Sequence, residues 1–245
     1  MIQAMQQPKP LAVIYQDQDY IAINKPSGLL VHRSPIARGE KRFALQMLRN
    51  QIGCHVYPVH RLDRPTSGIL LFALSSEAAK HMIERFKSGE VRKTYMAVAR
   101  GHTPDEGTID HALKPIPENN SSAPQDPELR VSAITQYRTL KKMELQYAVD
   151  RYPTSRYSLL ILHPLTGRRH QIRRHMKHIS HPIIGDTRYG QAVHNHFFRD
   201  HFGAKRLLLA ATRLQFNHPV TGHDIDIRAE LDPLFQTVID RFYAE

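Results

Sequence analysis

A chain of 245 residues, 41% apolar and 23% charged, has enough material for a core and room for one or two domains, which excludes a disordered or fibrous protein. Its net charge of +11 points to a polyanionic partner, nucleic acid above all, against the plainer reading of a merely basic protein. The apolar runs are far too short to span a bilayer, "MIQAMQQPKP" has no export-signal core, and the single cysteine, Cys54, excludes an internal disulfide and a cysteine-rich metal site; together these favour the cytoplasm.

In chain order, residues 1–10 read as an N-terminal extension. "LAVIYQDQDYIAINKPSG" predicts two short strands over 11–15 and 20–23, closed by a Pro-Ser-Gly turn. "GILLFAL" (68–74) is a continuous apolar run of the length of a buried strand. "SSEAAKHMIERFKSGE" predicts a helix with Ser75 or Ser76 as cap, Glu77 in its first turn and Gly89 closing it, with Ala79, Met82, Ile83 and Phe86 at helical spacing. "RKTYMAVARG" (92–101) alternates as a strand does, Thr94, Met96 and Val98 against Tyr95, Ala97 and Ala99.

The segment 114–130, rich in Pro, Ser and Asn and without a period, predicts an exposed loop and a possible boundary between two lobes. Strands resume at "ITQYRTL" and "YSLLILHP", "NHPVTGHDIDIRA" predicts a hairpin, and a C-terminal helix follows Asp232 over 233–245. "HPLTG" and "HPVTG" read as two similar tight turns, not as a duplication. Several strands with few helices between them predict an α+β fold with a mixed, largely antiparallel sheet, flanking helices and a central cleft, and argue against a doubly wound βαβ fold.

Two stretches could carry chemistry. In "HRLDRPTSG" (60–68), Asp63 stands among His60, Arg61 and Arg64, on a loop turned by Pro65 and Gly68 into the buried strand. The arginines favour an ionised carboxylate, which a nucleophile or base must be; a structural ion pair fits the same pattern. In "TGRRHQIRRHMKHISHPIIGD" (166–186), a helix over 168–179 would put Ile172, Met176 and Ile179 on an apolar stripe and Arg169, Arg173 and Lys177 on a basic one beside it. That basic stripe is either a solvated face or a functional one, and the run 167–178 has no acidic residue to repel a phosphate.

His170, His175, His178 and His181 lack zinc-helix spacing, and no HExxH, Walker loop or GxGxxG is present, so nothing supports a metal or nucleotide cofactor. Tyr95 reads as a half-buried strand tyrosine or as a platform for a stacked base. Hydrolytic chemistry is the competing enzyme class, either a base-excising glycosylase that also uses an aspartate or a nuclease; a metal-dependent nuclease needs several converging carboxylates and the motifs offer only Asp63 and Asp186. A non-catalytic RNA-binding protein is the other alternative.

"NKPSGLLVH" (24–32), "HRLDRPTSG", "RKTYMAVARG", "LTGRRHQIRRHMKHISHPIIGD" (165–186) and "RLLLAATRLQFNHPVTG" (206–222) occur in an order that resembles the RluA-type pseudouridine synthases, over about 11–232 as a single catalytic domain. The resemblance implies that Asp63 attacks the target nucleoside, that Tyr95 lies against the base and assists proton removal, and that Arg173 pairs with the aspartate. Arg61 would fill the gap left by a flipped-out base, and Asn24, Lys25 and Pro26 belong to a motif that mainly supports the site. Lys25, Arg61, Arg64, Arg168, Arg169, Arg174 and Lys177 are the candidate RNA contacts. The resemblance further implies no metal or organic cofactor and structured RNA as substrate; many such relatives carry an extra N-terminal RNA-binding domain, for which the early start of the motifs here leaves no room, and a monomer that needs no protein partner is expected. Additional stretches such as "RYPTSRYSLL" (151–160) resemble members that modify uridine-65 of tRNA, with ribosomal RNA as the alternative substrate. Ala210 stands where relatives often have histidine.

Overall fold

The computed structural model describes residues 10–33, 39–117, 126 and 128–244. In chain order its elements are strands β1 (Ala12–Gln16) and β2 (Tyr20–Lys25), helix α1 (Ala44–Ile52), β3 (Tyr57–Pro58), β4 (Ser67–Ala73), α2 (Ser76–Ser88), β5 (Arg92–Arg100), β6 (Glu106–Asp110), β7 (Ile134–Leu145), β8 (Ser155–Pro164), α3 (Gln171–His178), α4 (Ala192–Phe202), β9 (Leu209–Asn217), β10 (Asp224–Arg228) and α5 (Pro233–Asp240). All the strands join one sheet in the order β1-β2-β4-β9-β5-β8-β7-β6, with β10 on β9 and β3 on β4. Every pairing is antiparallel except β4 with β9, so the sheet is mixed and largely antiparallel, as the strand-rich pattern predicts.

The continuous apolar run of β4 has a simple cause: both faces of the sheet are covered. Ile69, Leu71 and Ala73 pack with Ala79 and Met82 of α2, while Leu70 and Phe72 pack with Ala44 and Leu48 of α1. The other half repeats the plan. Val98 and Leu159 meet Phe198 of α4 and Phe235 of α5 on one face, and Ala97, Ala99 and Leu160 meet Ile172 and Met176 of α3 on the other. Helix α2 starts and stops as its sequence predicts: the Ser75 side chain accepts from Ala78 N, and Gly89 closes the helix in the left-handed conformation.

The two halves meet where β4 runs parallel to β9, Gly68 opposite Ala211. Gly68 has φ 105, and a Cβ there would run into the Ala211 carbonyl. Only glycine lets these backbones approach, and the approach places the loop before β4 at the centre of the sheet.

Two expectations are corrected. The segment 114–130 is expected to separate two lobes, but the strands on either side of it, β6 and β7, are paired neighbours with their flanks bridged at Leu113 and Val131, so both its ends lie in the same half of the sheet. The expected loop residues 118–125 and 127, and the N-terminal extension over 1–9, lie outside the described residues. Helix α3 begins at Gln171, not at 168, because the Gln171 side chain accepts from Arg168 N at 3.0 Å and from Thr166 Oγ1 at 2.7 Å, winding 166–170 into a turn around it.

Candidate active site

The loop carrying Asp63 leaves β3 and enters β4, and it is fastened at both ends. At its start, His60 Nε2 accepts a 2.9 Å hydrogen bond from Leu71 N of β4, and the ring stacks on Phe86 of α2 at 4.7 Å between centroids. Burial, helped by the Lys93 charge, pushes the His60 pKa down to about 3, so the imidazole is neutral and its proton sits on Nδ1. At the loop's end, Thr66 N donates to Asp63 O at 3.1 Å, closing a tight turn around the carboxylate.

The "NKPSG" stretch clamps the same loop from outside. Gly28 N donates to Arg64 O at 2.8 Å and Ser27 Oγ to Pro65 O at 2.7 Å. Lys25 is wholly buried, and its Nζ donates to the carbonyls of Pro26, Leu29 and Arg64 at 3.0, 2.8 and 3.2 Å. Lys25 therefore supports the site, and its candidacy as an RNA contact is withdrawn: no phosphate reaches an ammonium enclosed by backbone.

Opposite the loop, Arg173 of α3 reaches inward with 5% of its surface exposed. Its Nη1 donates to Asp63 Oδ2 at 2.9 Å, while Nε and Nη2 grip Asp186 at 2.7 and 2.9 Å. Asp186 is fixed in turn by Arg188 N and Tyr189 N at 2.9 and 3.0 Å. Burial by itself raises the Asp186 pKa, but the bonds to Arg173 and to those backbone amides outweigh it and leave the carboxyl below its ordinary range. Burial likewise works against the Arg173 charge, and the two aspartates overcome it, leaving the guanidinium more firmly protonated than usual.

Asp63, Arg173 and Tyr95 line one cleft of about 860 Å³, within the range of small-ligand sites. Leu62, Ile172 and Leu209 supply apolar wall, and Arg61, Lys87, Lys93, Arg168 and Arg169 supply positive charge. Asp63 is the one carboxylate among the lining residues. Tyr95, on β5 between β8 and β9, has its pKa raised, chiefly by burial and then by the Asp63 charge, so its phenol is protonated at neutral pH.

The remaining candidates divide. Arg61 is exposed at the cleft, and Arg168 and Arg169 line it, the first bonded to Ser132 O at 3.0 Å and the second to Pro117 O. Arg64 is exposed but turned toward Gly28 O and Glu40, 3.0 and 2.7 Å away, and does not line the cleft. Arg174 and Lys177 lie on α3 beyond the lining residues, half-buried and exposed respectively. The expected stripe of Arg169, Arg173 and Lys177 is thus not one face: Arg169 precedes the helix and Arg173 points inward.

The four histidines of this segment do not converge. His175 contacts Thr135 Oγ1 and His111 O, His178 stacks on His111, and His181 meets Arg100 O. His170 faces Asp63 and Tyr189. Sequence reasoning left Asp186 without a role, although "HPIIGD" holds a signal: the buried pair Ile183 and Ile184 carries the carboxylate inward, and Gly185 passes so close to the Arg206 carbonyl that no Cβ fits. Ala210 lies in the core against Met96 and Ser67 and does not line the cleft.

Residues 19–178 match the family model for RNA pseudouridylate synthase. The chain is 49% identical over 234 residues to a tRNA pseudouridine synthase C from Vibrio vulnificus, covering 95% of each chain. It is 50% identical over 233 residues to another from Pasteurella multocida, covering 95% of this chain and 96% of that one. Among solved structures it is similar in fold to human RNA Pseudouridylate Synthase Domain Containing 1, with a TM-score of 0.69, 24% identity and 98% of each chain covered.

Proposed function

This chain belongs to the RNA pseudouridylate synthase family, and from that premise we propose that it isomerises a uridine of tRNA, at position 65, with Asp63 as nucleophile. The observation that carries the assignment of Asp63 is that it alone among the cleft-lining residues offers a carboxylate, and that Arg173 holds it. The tRNA substrate is supported by the close likeness to relatives bearing that name.

The chemistry conserves atoms. Asp63 bonds to C1′ as the bond from uracil N1 to C1′ breaks, the base turns, C5 bonds to C1′ as the bond to Asp63 is released, and the proton lost from C5 is matched by one gained at N1. A uridine inside paired RNA must first be extruded, at a cost of a few kcal/mol. Arg168, Arg169, Lys87 and Lys93 offset that cost through phosphate contacts, and Arg61 at the rim fills the vacated place in the stack. The guanidinium of Arg173 keeps Asp63 ionised and aimed, and because Asp186 immobilises Arg173 the carboxylate attacks from a fixed position. Tyr95 covers the base as a neutral phenol; it passes a proton from C5 only in concert with a second acceptor, since its own pKa is raised. The protein does this as a monomer, in the cytoplasm and without metal or organic cofactor.

A pseudouridine map of total RNA from cells lacking the protein tests the assignment. Loss confined to uridine-65 of tRNA is expected; an unchanged tRNA map, or loss confined to ribosomal RNA, would overturn the substrate.

A further inference from the structure

His170 is one of two non-glycine residues among those described whose backbone has positive φ, at 56. A side chain held in the left-handed region by its surroundings points to a positional demand, because the conformation itself is unfavourable. Its consequence here is specific. The imidazole lies in the cleft wall with Nε2 3.8 Å from Asp63 Oδ1, the carboxylate oxygen that Arg173 does not bond, and Nδ1 3.0 Å from the Tyr189 hydroxyl. Tyr189 belongs to the same turn that anchors Asp186, and its ring packs edge-on to His170 and under the Arg173 guanidinium.

We propose, resting on the reading of Asp63 as nucleophile, that His170 is a second positioning residue for Asp63: the Tyr189 hydroxyl donates to Nδ1, selecting the neutral tautomer whose Nε2–H faces Oδ1. The two carboxylate oxygens then have separate partners, Arg173 on Oδ2 and His170 on Oδ1. At 3.8 Å the second contact is not yet a hydrogen bond. A shift of under one ångström on filling the cleft makes it one, and fixes the rotation of the carboxylate about its Cβ–Cγ bond at the moment of attack. The charged groups facing His170 agree with a neutral ring: burial foremost, then Arg173, Arg169 and Arg188, outweigh the opposing Asp63 charge and lower its pKa to about 4. The tautomer is the point of the arrangement. Were the proton on Nδ1, a bare Nε2 lone pair would face the carboxylate and repel it.

Two readings test this. In selectively ¹⁵N-histidine-labelled protein at neutral pH, the His170 resonances, assigned by their absence from His170→Gly, are expected to show the Nε2–H tautomer, shifting to a mixture in Tyr189→Phe; an Nδ1–H tautomer or an imidazolium in the wild type would overturn the proposal. The second reading uses the strain. Glycine adopts positive φ freely, so His170→Gly is expected to melt no lower than wild type while kcat falls by between about 10-fold and 100-fold with KM nearly unchanged. Wild-type kcat in that variant would overturn the positioning role. The tautomer is read without turnover, so it stands or falls independently of whether Asp63 is the nucleophile.

Discussion

Arg173 and Asp63 lie 110 residues apart in sequence and 2.9 Å apart in space. The pair is asymmetric: Arg173 is 6% exposed at its side chain, Asp63 21%, and Nε and Nη2 of the guanidinium donate to Asp186, whose side chain is fully enclosed. Arg173 is therefore a bridge with one end buried on Asp186 and the other at the cleft on Asp63. The buried half fixes the fork, and the half at the cleft presents a carboxylate.

That division makes the two aspartates experimentally separable. Asp186→Asn breaks a buried, bidentate ion pair, and such a loss costs ~3–5 kcal/mol. At ~2–4 °C per kcal/mol for a chain of this size, a melting point lowered by about 6 °C or more is expected by calorimetry, together with reduced turnover. A melting point within a degree of wild type would show that Arg173 is held by something other than Asp186.

The cations near the cleft should separate in the same manner. Removing a phosphate contact lowers the slope of log K against log salt by about one unit. Arg168→Ala, at the cleft wall, is expected to do this with turnover on saturating RNA little changed, whereas Arg64→Ala, paired with Glu40 outside the cleft, leaves the slope alone. Filter-binding titrations over a range of salt check both. Equal slopes for Arg168→Ala and wild type would remove Arg168 from the RNA interface.

Stability should fall on the acid side through His60. Its pKa is about 3 in the folded chain against an ordinary ~6.5 in the unfolded one, so below that ordinary value the unfolded state binds the extra proton. The contribution is complete above pH ~6.5 and is lost progressively as pH falls toward about 3. His60→Gln keeps an acceptor for Leu71 N and removes the titration, so urea midpoints between pH 6.5 and 4.5 are expected to fall less steeply in the variant. Parallel curves would show that His60 does not carry this dependence.

Gly68 is the position where the fold tolerates least. Its φ of 105 and the Ala211 carbonyl against the absent Cβ mean that Gly68→Ala forces β4 and β9 apart at the centre of the sheet. A destabilisation of several kcal/mol is expected, well above the ~1 kcal/mol of a typical substitution. A chemical denaturation curve matching wild type would mean that the backbones are not in contact there.

Local signals in the sequence were legible where local physics decides. Ser75 and Gly89 bracket α2 because capping is a matter of adjacent residues, and the apolar run of β4 reads as buried because both its faces are covered. The motifs point to Asp63, Tyr95 and Arg173, and the fold brings all of them to one cleft. What stayed hidden depends on distant partners. Asp186 acquires a role only when Arg173 arrives, the start of α3 is displaced by bonds to the Gln171 side chain, and Lys25 looks like a surface cation until the carbonyls of Leu29 and Arg64 close over it. A basic stripe drawn by helical periodicity cannot tell an arginine facing phosphate from one facing a buried carboxylate.

The central claim is that Asp63 is the group that attacks. Asp63→Asn changes one oxygen to an amide, leaves the Arg173 and Asp186 pair in place, and should neither unfold the protein nor abolish RNA binding. The direct measurement is pseudouridine formed on unmodified tRNA by the purified variant and wild type, quantified by chemical derivatisation and mass spectrometry. The expected result is complete conversion by wild type at unchanged RNA mass, and none by Asp63→Asn at equal RNA affinity. Substantial turnover by the variant would contradict the account and leave Asp63 a structural partner of Arg173.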